Sequence, residues 1–195
     1  MKIRINAASV SAVFLAIFLS AQVLLAGSYN VMTHVVVGSN DRATGNPLGK
    51  VAERAMREIR SDFDFRTFST TSRHFQSMGM GGNVSFQSML RDFGSLETQK
   101  NPIFAEWNYG GLFADKESPG LLGFKAFRFE ARVPVSFSGL QSKGNQSTFV
   151  KYENVRLSMN NVLLKEDTPK VIATLPLPRN DEMLFFILHV KKSSD

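Results

Sequence analysis

Lys125-Ala126-Phe127-Arg128-Phe129-Glu130-Ala131-Arg132-Val133-Pro134-Val135-Ser136-Phe137 is the stretch that decides the fold. Phe127, Phe129, Ala131, Val133, Val135 and Phe137 are apolar, and Arg128, Glu130, Arg132 and Ser136 alternate with them. A period of two sends neighbouring side chains to opposite faces of a strand, so one face belongs to a core and the other to water. A polar loop over 138–147 follows, and Thr148 to Met159 reads as the partner strand. Its apolar set moves from Val150 and Tyr152 to Val155, Leu157 and Met159. That odd offset predicts a bulge near Asn154, or a break there. Asn160-Asn161 reads as a turn, Glu166-Asp167-Thr168-Pro169 as another, and Val171 to Leu175 as a short strand. Met183 to Val190 is apolar on both faces, as a central strand covered on both sides should be.

The first half is less regular. Asn30 to Val37 reads as a buried strand ending in the turn chemistry of Gly38-Ser39-Asn40-Asp41. Asn46-Pro47 is a helix start signal, because Asn caps orphan N–H groups and Pro needs no donor there. Leu48, Val51, Ala52, Ala55, Met56 and Ile59 repeat at helical spacing, which predicts an amphipathic helix over about 47–61. Phe63 to Thr70 reads as a second strand, giving a strand-helix-strand unit of the βαβ kind. Ser77 to Asn83 reads as a hairpin turn, with strands at Val84 to Leu90 and Ile103 to Trp107. The expected fold is α+β: this N-terminal unit followed by an antiparallel β-rich half, sandwich-like or a mixed sheet. One domain would cover 27–195, β-rich from about 63 to 191. Seventeen Phe against one Trp and three Tyr favour a pleated, half-buried core.

Ahead of this domain, Lys2 and Arg4 precede an uncharged, apolar run from Ala7 to Leu25. That is the order of a secretory signal, with cleavage expected after Ala26 or Ser28. The alternatives are an uncleaved N-terminal anchor, since about 20 apolar residues can span a bilayer, and a buried helix of a cytosolic protein. There is no Cys, so disulfides, thiolate metal sites and a Cys nucleophile are excluded, and stability rests on packing. Without Lys2 and Arg4 the 23 basic residues become 21 against 17 acidic ones, a mild and scattered excess. No basic stripe marks a nucleic-acid partner.

Motifs for chemistry are sparse. Gly45-Asn46-Pro47-Leu48-Gly49-Lys50-Val51 has too few residues between its glycines for a phosphate loop, and Val51 replaces the hydroxyl that would hold magnesium. Gly79-Met80-Gly81-Gly82 lacks the third glycine of a dinucleotide fingerprint. His34, His74 and His189 share no metal-ligand spacing and read as packed or surface residues. No Gly-x-Ser-x-Gly elbow singles out a nucleophile. Asp115 with Glu117, and Asp181-Glu182, read as solvated turns. Asn83 and Asn145 head Asn-x-Ser sequons. Trp107, Tyr109 and Phe113 are either core or an aromatic ledge, with core the stronger reading. No catalytic, cofactor-binding or metal residue is therefore assigned.

The order of elements resembles a loose group of uncharacterised exported bacterial proteins. The likeness is carried by the signal, the aromatic stretch Asp64-Phe65-Arg66-Thr67-Phe68 and a meander from Val155-Arg156-Leu157 to Ile187-Leu188-His189-Val190. From Tyr152 to Val190 it is also faintly similar to the β-strands of outer-membrane secretins. The resemblance implies a periplasmic or cell-envelope location and no defined chemistry. The expected function is non-enzymatic: an exported envelope protein that binds another envelope protein or self-associates, touching membrane only through an uncleaved N-terminal segment. The alternatives are a secreted hydrolase with a dispersed active site and a carrier of an apolar ligand.

Overall fold

The computed structural model describes residues 27–40, 46–90, 101–140, 146–177 and 182–193. Strand β1 (Tyr29–Ser39) is followed by helix α1 (Lys50–Met56) and a single 3-10 turn at Arg60–Asp62. The remaining strands are β2 (Thr67–Met78), β3 (Asn83–Leu90), β4 (Ile103–Ala114), β5 (Leu121–Leu140), β6 (Gln146–Lys165), β7 (Lys170–Pro176) and β8 (Glu182–Lys192). They form two antiparallel four-stranded sheets, ordered β2-β1-β8-β7 and β3-β4-β5-β6.

The two sheets close face to face on a largely aromatic core. Alternation in β5 delivers Phe127, Phe129, Ala131 and Val133 to it, and β4 delivers Ala105, Trp107 and Tyr109. From the first sheet come Val31, Val35 and Val37 of β1 and Leu184, Phe186, Leu188 and Val190 of β8. The Phe186 ring lies 5.8 Å from Trp107 and 4.7 Å from Phe129, centroid to centroid, so the sheets are in direct contact. The other face of the first sheet is covered too. Val36, Phe185 and Ile187 pack there against Ala52, Ala55 and Met56 of α1 and against Phe68, with Phe63 and Phe65 alongside. β8 is thus buried on both sides, as its continuous apolar run foretold.

This architecture corrects the α+β expectation, because the described residues form no βαβ unit. β1 and β2 are antiparallel neighbours, Tyr29 opposite Met78 and Ser39 opposite Thr67. The physical reason is length. The helix has 7 residues rather than the fifteen expected over 47–61, so it rises only about 10 Å, whereas an 11-residue strand runs about 37 Å. A helix that short cannot carry the chain back along the strand, so the chain turns at the same end and returns antiparallel. Phe63 and Phe65 are not in a strand. They serve as ring contacts, Phe63 standing edge-on to Phe185 at 4.9 Å.

Three local expectations change as well. Gly79–Gly82 is not a hairpin turn: it carries the chain from β2 in one sheet to β3 in the other. No bulge occurs near Asn154, for the β5–β6 ladder keeps one register from Leu121↔Lys165 to Leu140↔Gln146. The odd offset instead records a change of face: Val155, Leu157 and Met159 pack inward, while Val150 and Tyr152 sit on the opposite side. Asn160-Asn161 does not end the strand either. Asn161 takes a left-handed φ of 54°, in line with Gly111 at 65°, where the ladders skip a rung beside Lys125, and β6 continues to Lys165. Asn tolerates that region where bulkier residues do not.

Among the described residues no helix is long and apolar enough to cross a membrane. Lys2 to Ala26 lie outside the described residues, as do Gly45, Asn145 and Asp181.

Candidate functional site

The wet face of β5 lies on the outside of the second sheet, and register assembles a polar surface there. Gln87, Glu106, Glu130 and Arg156 stand in one row across β3, β4, β5 and β6. Met89, Phe104, Arg132 and Asn154 form the next row, and Ser85, Asn108, Arg128 and Ser158 flank the first on its other side. Arg156 Nη2 donates to Glu130 Oε1 at 2.8 Å, but both side chains are open to solvent. Such a pair contributes less than about 1 kcal/mol. Arg132 lies over the Tyr152 ring at 5.6 Å, and the Tyr152 hydroxyl donates to the Pro102 carbonyl oxygen at 3.4 Å. Exposed Met89 and Phe104 complete a shallow cleft of about 550 Å³ lined by Gln87, Glu106, Glu130 and Arg132.

This face ends in an arm. β4 follows β5 only as far as Phe104↔Arg132, whereas β5 and β6 continue pairing from Val133↔Glu153 to Leu140↔Gln146. Phe149 is 56% exposed and Val150 is 42% exposed on this extension. Among the described residues no strand lies on the outer side of β6. An edge that combines free backbone donors and acceptors with apolar side chains is a template for another strand.

The histidines divide between the two faces of the first sheet. His74 points into the sandwich against Phe86, with ring centroids 4.2 Å apart, and burial lowers its pKa. His34 and His189 lie on the other face, on neighbouring strands β1 and β8, with Arg73 directly across from His34 on β2. Arg73 Nη2 donates to the Pro47 carbonyl oxygen at 3.2 Å, tying the start of α1 to the sheet. His189 Nε2 is 3.0 Å from Asp167 Oδ1. Both His34 ring nitrogens are buried without a hydrogen-bond partner. Burial, then Arg73 and His189, push its pKa from 6.5 to about 4. The unfolded chain, titrating near 6.5, therefore binds the proton first as pH falls. Stability linked to His34 is complete above about 6.5 and drains away towards pH 4. The loss is expected to be on the order of 2 kcal/mol once residual solvent screening is allowed for. Urea midpoints measured from pH 7 to 4.5 should fall, and His34→Gln should flatten that part of the slope. Equal slopes in the two proteins would exclude His34 as the cause.

The other sequence candidates fall as follows. Trp107 and Tyr109 are wholly buried and Phe113 is half-buried, so they are core rather than a ledge. Burial pushes the Tyr109 phenol pKa up, an effect that the Thr33 hydroxyl opposes. Asp115 Oδ1 accepts from the Glu117 N–H at 3.0 Å, the turn that was expected. Glu182 departs from its reading as a solvated turn: it is buried, and its carbonyl oxygen accepts from the Leu177 N–H at 3.0 Å. Of the two cleavage candidates only Ser28 is described, and its carbonyl oxygen accepts from the Ser193 N–H at 2.8 Å. Asn83 is exposed at the start of β3. Among the described residues no group of three His, Asp or Glu is placed to hold a metal ion.

The polar row centred on Glu106 and Glu130, and the meeting of His34 with His189, escaped sequence reasoning. Alternation marked Arg128, Glu130 and Arg132 as wet, but which strand lies opposite them is a matter of long-range register. No protein-family model matches the chain, and no match is found among curated proteins.

Proposed function

We propose that the chain is a non-enzymatic, exported cell-envelope protein whose β-sandwich binds another protein or assembles with itself. The observation that carries the binding part is the β5–β6 arm, an unpaired edge that continues past the sheet with Phe149 and Val150 in solvent. Edge strands of this kind are normally shielded, and one left open with apolar side chains favours a partner strand. The described clefts lie on outer surfaces, where polar groups such as Glu106 and Glu130 face water rather than an enclosed pocket. That favours recognition over the dispersed hydrolase site. Where an apolar-ligand carrier would need a void, the space between the sheets holds Trp107, Phe127, Phe129 and Phe186 in mutual contact.

The export part rests on the sequence from Lys2 to Ala26. A first residue at Gly27 fits the fold better than one at Tyr29, because it keeps the Ser28 carbonyl that Ser193 uses. N-terminal sequencing and fractionation of the natively expressed protein are the test. Gly27 as the first residue in a soluble envelope fraction is expected for a free binding domain. An intact N-terminus in the membrane fraction would make it a tethered one. Recovery in the cytosol with the segment intact would refute the reading.

A further inference from the structure

The exposed edge of β6 carries a charge pattern that fits itself. Lys151 and Glu153 share one face of the arm, opposite Val135 and Val133 of β5, with Tyr152 between them pointing the other way. Neither has an ion-pair partner among the described residues. The residues that flank this triplet are Val150 and Phe149 on one side, and Asn154 and the core-facing Val155 on the other.

We infer that two copies of this chain pair through their β6 edges, antiparallel, with Tyr152 on the two-fold axis. The inference rests on the assembly reading above and names its partner as a second copy. An antiparallel two-fold pairing sets residues opposite each other symmetrically about its centre, and opposed residues share a face. Centred on Tyr152, it places Lys151 of each copy against Glu153 of the other, so the ion pair forms twice. Exposed Phe149 comes to lie beside Val155 of the second copy, and Val150 beside Asn154. Moving the centre one residue either way sets Lys151 opposite Lys151 or Glu153 opposite Glu153, which opposes like charges and breaks both ion pairs. Each sandwich begins at Asn154, two residues from the axis and on the opposite side from its partner, so the tip of each arm runs along the β6 edge of the other copy's sandwich, Gln146 opposite Ser158. The two bodies are therefore staggered and do not collide, and two four-stranded sheets become one of eight strands.

The chain has no Cys, so single-cysteine cross-linking reads the axis cleanly. Opposed Cα atoms of an antiparallel pair stand about 4.5–5.5 Å apart, within disulfide range. Mild oxidation of the full chain carrying Tyr152→Cys should give a band at twice 21.7 kDa. Asn160→Cys, also exposed on β6, should not, because its two copies would be roughly 50 Å apart. A second measurement leaves Tyr152 in place. In mixed isotopically light and heavy chains, a carbodiimide should join Lys151 of one copy to Glu153 of the other. Lys151→Glu should abolish that product, and Lys151→Glu combined with Glu153→Lys should restore it. A chain that stays monomeric in both experiments, or that cross-links equally at 152 and 160, overturns the inference. If such a chain is nonetheless recovered from the envelope bound to a different protein, the assembly reading stands and only the identity of its partner is wrong.

Discussion

Trp107→Ala is expected to destabilise the fold by about 3–5 kcal/mol, the range for removing a large buried aromatic side chain. Trp107 is fully buried where the two sheets meet, and its neighbours are rings: Phe129 at 4.6 Å, Phe86 and Phe186 each at 5.8 Å, and His74 at 5.9 Å. Its indole N–H donates to Ser88 Oγ at 3.2 Å. These partners belong to both sheets and cannot all collapse into the space left behind. Stability of a domain this size is on the order of 5–15 kcal/mol, so the substitution removes a large share of it. Chemical unfolding followed by far-UV circular dichroism measures the loss, since the variant has no Trp to report. A cost under about 1 kcal/mol would mean that the indole is not in the core.

The second large effect concerns added bulk. Gly38 lies on the outer face of β1, opposite Phe68 of β2 and Met183 of β8. A Cβ at that position would come within 2.6 Å of Phe65 Cδ2 and 2.9 Å of Phe185 Cε2. Those ring atoms belong to an interlocked group: Phe65 is edge-on to Phe68 at 6.0 Å and to Phe185 at 6.2 Å. Gly38→Val should therefore cost about 1–3 kcal/mol through displacement of the Phe65 and Phe185 rings. Thermal unfolding of a double-mutant cycle separates this clash from a simple loss of strand propensity. Phe65→Ala makes room, so Gly38→Val should cost less in that background than in the parent chain. Full additivity would place the damage elsewhere.

Gly38 also shows where sequence reading stopped. It was legible as the end of a strand, because Gly, Ser, Asn and Asp follow one another there, yet β1 runs one residue further to Ser39. The glycine serves close packing under Phe65 and Phe185 rather than a turn. The strands with a clean period of two or a continuous apolar run were readable from local pattern alone, β5 and β8 above all. The pairing of those strands was not. Whether the segment after β1 returns parallel or antiparallel depends on how far α1 reaches, and helical spacing extended that helix through Ile59, although Arg57 begins a turn and Arg60 a 3-10 turn. Phe63 and Phe65 alternate like strand residues, but they are drawn into ring contacts with Phe185, a partner more than a hundred residues away. The candidate surface follows the same rule. Arg132 and Glu130 were legible as solvent-facing, whereas Glu106, Met89 and Phe104 join them only through registers that no local pattern encodes.

Closure of two antiparallel sheets on each other underlies both the outer polar face and the free β6 arm. The measurement that tests it most directly is a nuclear Overhauser spectrum of the aromatic protons, in which the single Trp gives unambiguous indole signals. Cross-peaks from the Trp107 indole to the rings of Phe186 and Phe129 are expected, since β8 and β5 approach it from different sheets. An indole that instead shows contacts to Met56 and Ala52 of α1, with none to Phe186, would contradict the sandwich.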